Sequence, residues 1–320
     1  NFKIKDIKKF KKFKTVVVIG MGGSILGAEA IYHFLKKKIK KNFIFFNNID
    51  ENKLNEFKKN KKLNKILFII ISKSGNTIET LSNLCALKII KNRSKNIIII
   101  SEKSDNPLYV LSKKMNLFYV EHKKYIGGRY SVLSEVGILP AYLMDVKISD
   151  LRKNLFIHLN HKNKKFLCDS SIKLSNLLID KKIKNIIFFN YAPQLSKFLL
   201  WCQQLIAESL GKNNKGFLPT LSSAPKDHHS LLQLYLDGPK DKIFYIFSNS
   251  VNKESKINSK LFGKKLSHIN KKSLSQIKIA QKNAFLQVLK NNKIPYREFK
   301  IPNFTERVLG ELFAYFILET

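Results

Sequence analysis

Gln204 and Glu208 are the residues of this sequence best spaced for proton transfer. They lie four positions apart in the segment WCQQLIAESLGK, which places both side chains on one face of a helix. A carboxylate fixed by its helix beside an amide suits a general base. A solvent-facing glutamate on a surface helix has the same spacing, so the segment alone leaves both interpretations open.

Arg129 is the candidate cation for the same chemistry. It follows Gly127 and Gly128 in IGGRYSVLSEVG, and glycines allow the backbone an unusual path. The chain has only five arginines among its 59 basic residues, so an arginine here favours a need for planar fork geometry that lysine lacks. A surface arginine in a loop is the alternative.

The stretch VVVIGMGGSILGAEA, Val16–Ala30, has the pattern of a strand, a glycine turn and a helix. A dinucleotide fingerprint would need glycine where Ile25 stands, and a P-loop would need lysine after Gly27, where Ala28 stands. Both nucleotide motifs are therefore excluded. The turn predicts either backbone N–H groups that bind an anion or polar ligand, or a tight turn without a ligand.

A second turn, in ISKSGNTIET, predicts a cradle for a phosphate monoester. Ser72, Lys73, Ser74 and Thr77 lie between the apolar run Ile66–Ile71 and a predicted helix. Their hydroxyls and the N–H groups of the helix N-terminus supply hydrogen-bond donors, and the helix end supplies positive potential. A serine or threonine helix cap is the alternative.

Asp227, His228 and His229 precede an apolar run, and either histidine could act as an acid or base near neutral pH. Adjacent histidine side chains diverge, and no carboxylate spacing supports a metal pair. The segment therefore predicts no metal site.

Composition bounds the class of protein. The 320 residues allow two domains, and 44% hydrophobic residues indicate a globular chain. No apolar run is long enough for a membrane span, and the three cysteines lack disulfide or metal spacing, which favours the cytoplasm. The formal charge of +36 comes from lysines spread along the whole chain, so we expect no specific nucleic-acid partner.

The elements that must position these residues follow from hydrophobic patterning. Continuous apolar runs are typical of parallel strands buried on both faces, and here they alternate with helix-length segments. We therefore expect an α/β fold of two tandem, doubly wound parallel sheets, with phosphate-binding loops in domain 1–150 and the catalytic glutamate and histidine in domain 151–320. The predicted strands are Val16–Ile19, Phe43–Phe46, Ile66–Ile71, Ile97–Ile100, Leu117–Val120, Ile186–Phe189, Gly216–Leu221, Ile243–Phe247 and Tyr296–Ile301. The predicted helices include Ala28–Lys38, Thr77–Lys91, Gln194–Leu210 and Thr305–Leu318, the last with a threonine cap.

As an ordered set, GMGGS, ISKSGNTIET, GGRYSVLSEVG, QQLIAESLGK and DHHSLLQLYLDGP resemble the phosphoglucose isomerase family. The resemblance covers about Val16 to the C-terminus. It implies two flavodoxin-like sugar-isomerase domains that interconvert glucose 6-phosphate and fructose 6-phosphate through a cis-enediol, in glycolysis and gluconeogenesis, without a metal or organic cofactor. An isomerase of mannose or amino-sugar phosphates is one alternative, and a sugar-phosphate-binding protein without activity is another.

The resemblance also implies roles for individual residues. Glu208 would move the proton between C1 and C2, Arg129 would stabilise the enediolate, and His229, rather than His228, would assist ring opening. In this family the histidine comes from the neighbouring subunit, which implies a homodimer. The implied substrate-binding residues are Ser72, Lys73, Ser74 and Thr77 for the 6-phosphate, Gly23 and Ser24 for the sugar, and Gln204 nearby.

The resemblance departs at both ends of the chain. The family has more helical sequence before its first loop, and its ring-opening lysine lies in a segment that would follow Thr320. We therefore expect the natural protein to continue past Thr320, and the 320-residue chain to act slowly on cyclic sugar.

Overall fold

The computed structural model describes residues 2–60, 62–180, 182–250 and 255–320, and in these ranges nine strands form two parallel sheets. The first sheet contains β1 Thr15–Ile19, β2 Asn42–Phe46, β3 Ile66–Ile71, β4 Ile97–Ser101 and β5 Phe118–Glu121. The second contains β6 Asn185–Asn190, β7 Leu218–Ser223, β8 Lys242–Asn249 and β9 Tyr296–Ile301.

Thirteen α-helices and several 3-10 turns connect the strands within the same ranges. The helices are α1 Ile4–Ile7, α2 Leu26–Phe34, α3 Glu51–Asn60, α4 Ile78–Leu87, α5 Pro107–Lys114, α6 Glu135–Leu143, α7 Ile148–Arg152, α8 His161–Ile179, α9 Ser196–Leu210, α10 Asp227–Ser230, α11 Leu232–Asp237, α12 Leu274–Asn291 and α13 Glu306–Glu319. The 3-10 segments are Lys8–Lys12, Gly22–Ser24, Leu63–Lys65, Gly128–Leu133, Ile157–Leu159, Pro193–Leu195 and Lys260–Ile269. None of the helices described is long and apolar enough to cross a bilayer.

The strand order confirms the predicted α/β class. The first sheet runs β2-β1-β3-β4-β5 and the second β7-β6-β8-β9, and every pairing is parallel. In β3, Leu67 and Ile69 belong to one core cluster while Phe68 and Ile70 belong to the cluster on the other face. Burial on both faces is why the run contains no polar residue.

Helix ends differ from the sequence expectation because they depend on local backbone geometry. The helix predicted over 77–91 ends at Leu87, since Lys88 adopts a left-handed conformation with φ of 52°. The helix predicted over 28–38 ends at Phe34. Thr305 is the residue before α13, but its hydroxyl donates to Asn303 Oδ1 at 2.8 Å and caps no N–H group of the helix.

One hydrophobic cluster joins the two halves of the chain. It contains residues of β1 and α2 together with residues of α9 and α13, and α2 packs against α9. Trp201 of α9 meets the edge of Phe313 of α13 with ring centroids 4.8 Å apart. The predicted domain boundary at residue 150 falls within α7, and the division stays a prediction.

Strand β9 lies at the edge of the second sheet, beside a groove of about 760 Å³ that α8 and α13 also line. Arg297 of this strand is enclosed by polar partners: Nη1 donates to Tyr245 Oη at 2.9 Å, and Nη2 lies 2.8 Å from a Glu319 carboxylate oxygen. The residues singled out in the sequence lie elsewhere, outside the lining of this groove.

We expect Phe313→Ala to lower the free energy of unfolding by about 3–5 kcal/mol, because it removes a fully buried ring and leaves a cavity. Urea unfolding monitored by circular dichroism measures the change. Phe262→Ala is the matched control: that ring is 62% exposed, and its loss should change the free energy by less than about 0.5 kcal/mol. Equal effects of the two substitutions would contradict this account of the core.

Candidate active site

The two loops predicted to bind a ligand lie side by side, because β1 and β3 are adjacent parallel strands and each loop follows one of them. A cleft of about 410 Å³ lies between the loops. Six of the predicted binding residues line it, namely Gly23, Ser24, Lys73, Ser74, Thr77 and Gln204. The described residues contain no group of histidine, cysteine, aspartate or glutamate arranged to hold a metal ion.

The loop after β3 presents Lys73, Ser74 and Thr77 to the cleft, at the N-terminus of α4. Ser72, also predicted to hold the phosphate, lies deeper than the other three residues, and its role stays a prediction. It is 1% exposed and absent from the cleft lining, and its hydroxyl lies 2.8 Å from Thr77 Oγ1 and accepts the Gly75 N–H at 3.1 Å. Ser72 therefore stabilises the conformation of the loop through hydrogen bonds on its buried side.

The loop after β1 is shaped by two close approaches of other chain segments. Gly22 has φ of +50°, and a Cβ there would lie 2.7 Å from Gln204 Nε2. A Cβ on Gly23 would lie 2.2 Å from the carbonyl group of Gly128, in the loop after β5. The loops after β1 and β5 therefore touch through their backbones. Gly127, in contrast, has φ of −65°, which any residue can adopt. At this contact the position that requires glycine is therefore Gly23, and not the pair Gly127 and Gly128.

The contact between these loops brings Arg129 to the last turn of α9. Arg129 Nη1 lies 2.9 Å from Glu208 Oε1, and Arg129 Nε donates to Ser209 Oγ at 2.7 Å. Gln204 Nε2 donates to Glu208 Oε2 at 3.1 Å. Each carboxylate oxygen of Glu208 thus has its own partner, and Glu208 and Arg129 lie together beside Gln204, which lines the cleft.

The surroundings of Glu208 are less apolar than its sequence neighbours suggest. Leu205 and Ile206 are buried, whereas the Glu208 side chain is 51% exposed. The carboxylate is therefore oriented by Arg129 and Gln204 yet open to a ligand. A fixed carboxylate beside a guanidinium can transfer a proton at a carbon next to a carbonyl, while the cation stabilises the anion that forms.

The two adjacent histidines have different environments. His228 Nε2 lies 2.7 Å from Tyr191 Oη, and its ring stacks on Phe189 with centroids 5.4 Å apart. Burial lowers the pKa of His228. The His229 side chain is exposed and has no hydrogen-bond partner among the described residues, so it is the histidine that can reach another molecule.

His229 and Glu208 do not meet within one chain. The Asp227 carboxylate accepts the Ser223 N–H at 2.6 Å, which ties α10 to the carboxyl end of β7. Helix α9 begins near that same edge, because β6 and β7 run parallel with Asn190 opposite Ser223. Glu208 lies twelve residues after the start of α9 at Ser196, about 18 Å away along the helix.

Glu102 is the one charged residue in the described cleft lining that no sequence motif indicated. It follows β4, lines the cleft, and its Oε1 lies 3.7 Å from Lys73 Nζ. It belongs to no recognisable motif. The available signal was its place directly after a buried apolar strand, at the edge where ligands of such sheets bind.

The sequence of the chain matches a known family and its members. The family profile described as phosphoglucose isomerase matches residues 5–224. The glucose-6-phosphate isomerase of Methanocaldococcus jannaschii is 33% identical over 323 residues, which cover 95% of this chain and 77% of that protein.

Solved structures show the same fold. A hypothetical protein of Thermus thermophilus superposes with a TM-score of 0.86 at 22% identity, over 98% of this chain and 80% of that one. A glucose-6-phosphate isomerase of Chlamydia trachomatis superposes with a TM-score of 0.78 at 20% identity, over 98% of this chain and 66% of that one.

We expect Gly23→Ala to weaken binding of inorganic phosphate in the cleft, because the added methyl group would force the loops after β1 and β5 apart and displace one wall of the cleft. Gly128→Ala is the matched control, since a Cβ at that position meets no atom within 4 Å. Calorimetric titration with phosphate measures both variants. Normal binding by Gly23→Ala would show that the backbone contact does not hold the cleft together.

Proposed function

This chain belongs to the phosphoglucose isomerase family, and we propose that it interconverts glucose 6-phosphate and fructose 6-phosphate. The observation that carries the proposal is the carboxylate of Glu208, held between Arg129 and Gln204 next to a loop rich in hydroxyl groups. Proton transfer between two neighbouring carbons needs a base, a cation and an anchor for the substrate.

In this proposal Glu208 removes the proton from one of the two carbons, C1 or C2. The negative charge moves to the carbonyl oxygen, which gives a cis-enediolate. Arg129, whose Nη1 lies 2.9 Å from Glu208 Oε1, stabilises this charge. A proton also passes from the hydroxyl oxygen to the former carbonyl oxygen, and Glu208 returns its proton to the other carbon. The carbonyl and hydroxyl groups thus exchange places, and no atom is gained or lost. Gln204 keeps the second carboxylate oxygen in place through its 3.1 Å hydrogen bond.

The 6-phosphate binds in the loop after β3. Lys73 supplies a charge, Ser74 and Thr77 supply hydroxyl donors, and the N-terminus of α4 adds positive potential. Gly23 and Ser24 line the opposite wall, where backbone groups can contact the sugar. Ser72 contributes through the shape of the loop.

We further propose a homodimer in which His229 completes the partner's site and assists ring opening. The separation of His229 from Glu208 along α9, together with the exposure of His229, supports this arrangement. The enzyme would act in glycolysis and gluconeogenesis in the cytoplasm, where the exposed free thiols of Cys85 and Cys168 stay reduced.

Glu208→Gln should lower isomerisation by about two to four powers of ten, because an amide cannot accept the proton. Fructose 6-phosphate incubated in deuterated water reports both deuterium uptake at C1 or C2 and conversion to glucose 6-phosphate. Glu56→Gln, an equal change on the exposed face of α3, should retain normal rates. If Glu208→Gln keeps more than a tenth of the activity, Glu208 is not the base.

Mixing Glu208→Gln subunits with His229→Ala subunits should restore activity. Each mixed dimer has one site with both groups intact, so random reassociation of equal amounts should recover about a quarter of the activity of the unmodified dimer. Dissociation in mild denaturant followed by dilution, with each variant treated alone as the control, performs the test. Mixed dimers that form and stay inactive would exclude a shared histidine.

A further inference from the structure

Glu102 places a negative charge in a cleft built to bind an anion. Its side chain is 19% exposed, and Oε1 lies 3.7 Å from Lys73 Nζ, the ammonium assigned to the phosphate. Of the residues described as lining the cleft, Glu102 alone is acidic. A carboxylate in that position repels a phosphate dianion and attracts the cation that the dianion needs.

The position of Glu102 is fixed by the loops that form the cleft. Its N–H donates to the Lys73 carbonyl oxygen at 2.9 Å, and its own carbonyl oxygen accepts from Asn106 Nδ2 at 2.8 Å. Asn106 is buried and also caps α5, where its Oδ1 accepts the Tyr109 N–H at 2.9 Å. Glu102 is therefore part of the loop framework and does not belong to a freely moving surface segment.

We propose that Glu102 limits the affinity of the cleft for phosphate by competing with the substrate's phosphate for Lys73. In the free cleft the carboxylate holds the ammonium near the phosphate position. When the phosphate binds, Lys73 exchanges one anionic partner for another, so only part of its attraction contributes to affinity. The residue thus limits how tightly the cleft retains any phosphate group, including that of the product.

The expected size of the effect follows from the exposure of the pair. A partly exposed ion pair and one like-charge repulsion at similar distance together correspond to about a five- to tenfold change in a dissociation constant. The inference rests on the proposed function in one respect, namely that this cleft receives a sugar phosphate.

The test is Glu102→Gln, which keeps the size of the side chain and removes its charge. Calorimetric titration with inorganic phosphate should show a dissociation constant about five- to tenfold lower, and the KM for fructose 6-phosphate should fall in parallel without a rise in kcat. Glu121→Gln is the matched control. It removes the same charge at the end of β5, where Glu121 pairs with Lys123 at 2.9 Å outside the described cleft lining.

A second variant assigns the effect to Lys73. In a Lys73→Met background, Glu102→Gln should tighten phosphate binding clearly less than it does in the unmodified chain, because no ammonium is released. An equal tightening in both backgrounds would overturn competition for Lys73, as would a phosphate dissociation constant that stays the same or rises in Glu102→Gln. A higher KM with unchanged phosphate binding would instead show that Glu102 accepts a sugar hydroxyl, and would also overturn the proposal.

Phosphate titration requires no turnover, so the two proposals fail separately. Tighter phosphate binding in a chain without isomerase activity would uphold the role of Glu102 and contradict the proposed reaction. Normal isomerase activity with unchanged phosphate binding in Glu102→Gln would do the reverse.

Discussion

The backbone contact between Gly23 and Gly128 is the constraint on which the site depends. A side chain on Gly23 would occupy the space of the Gly128 carbonyl, so only a glycine lets the loop after β5 rest on the loop after β1. That contact places Arg129 within reach of Glu208 and Ser209 on α9. Groups from the two halves of the chain are therefore aligned by close packing of main chain, which leaves little freedom of position.

Most of the fold could be predicted from the sequence because its strongest signal is burial. Runs such as Ile66–Ile71 contain apolar side chains on both faces, which is typical of a parallel sheet covered on both sides. Helix ends were predicted less well. The left-handed backbone at Lys88 ends α4. A lysine in the sequence does not indicate this conformation, which glycine and asparagine adopt more readily.

The candidate site was predictable where periodicity or a motif specified it. Gln204 and Glu208 meet because residues four apart share a helix face. The inward orientation of Ser72 was not predictable, since it depends on how the loop packs against the body of the sheet. Glu102 was missed because its place beside Lys73 arises from the order of neighbouring strands, which a single motif does not encode.

The edge position of β9 affects how copies of this chain behave in concentrated solution. An edge strand offers main-chain donors and acceptors that can recruit a strand from another molecule and start a polymer. Arg297, Glu298 and Lys300 occupy half of this six-residue strand, and each of them forms an ion pair within the same molecule. If β9 strands of identical copies paired edge to edge, their like charges would lie close together. The net charge of +36 adds a general repulsion between the molecules. The composition that gives the protein its basic surface thus also protects it from strand-by-strand self-assembly.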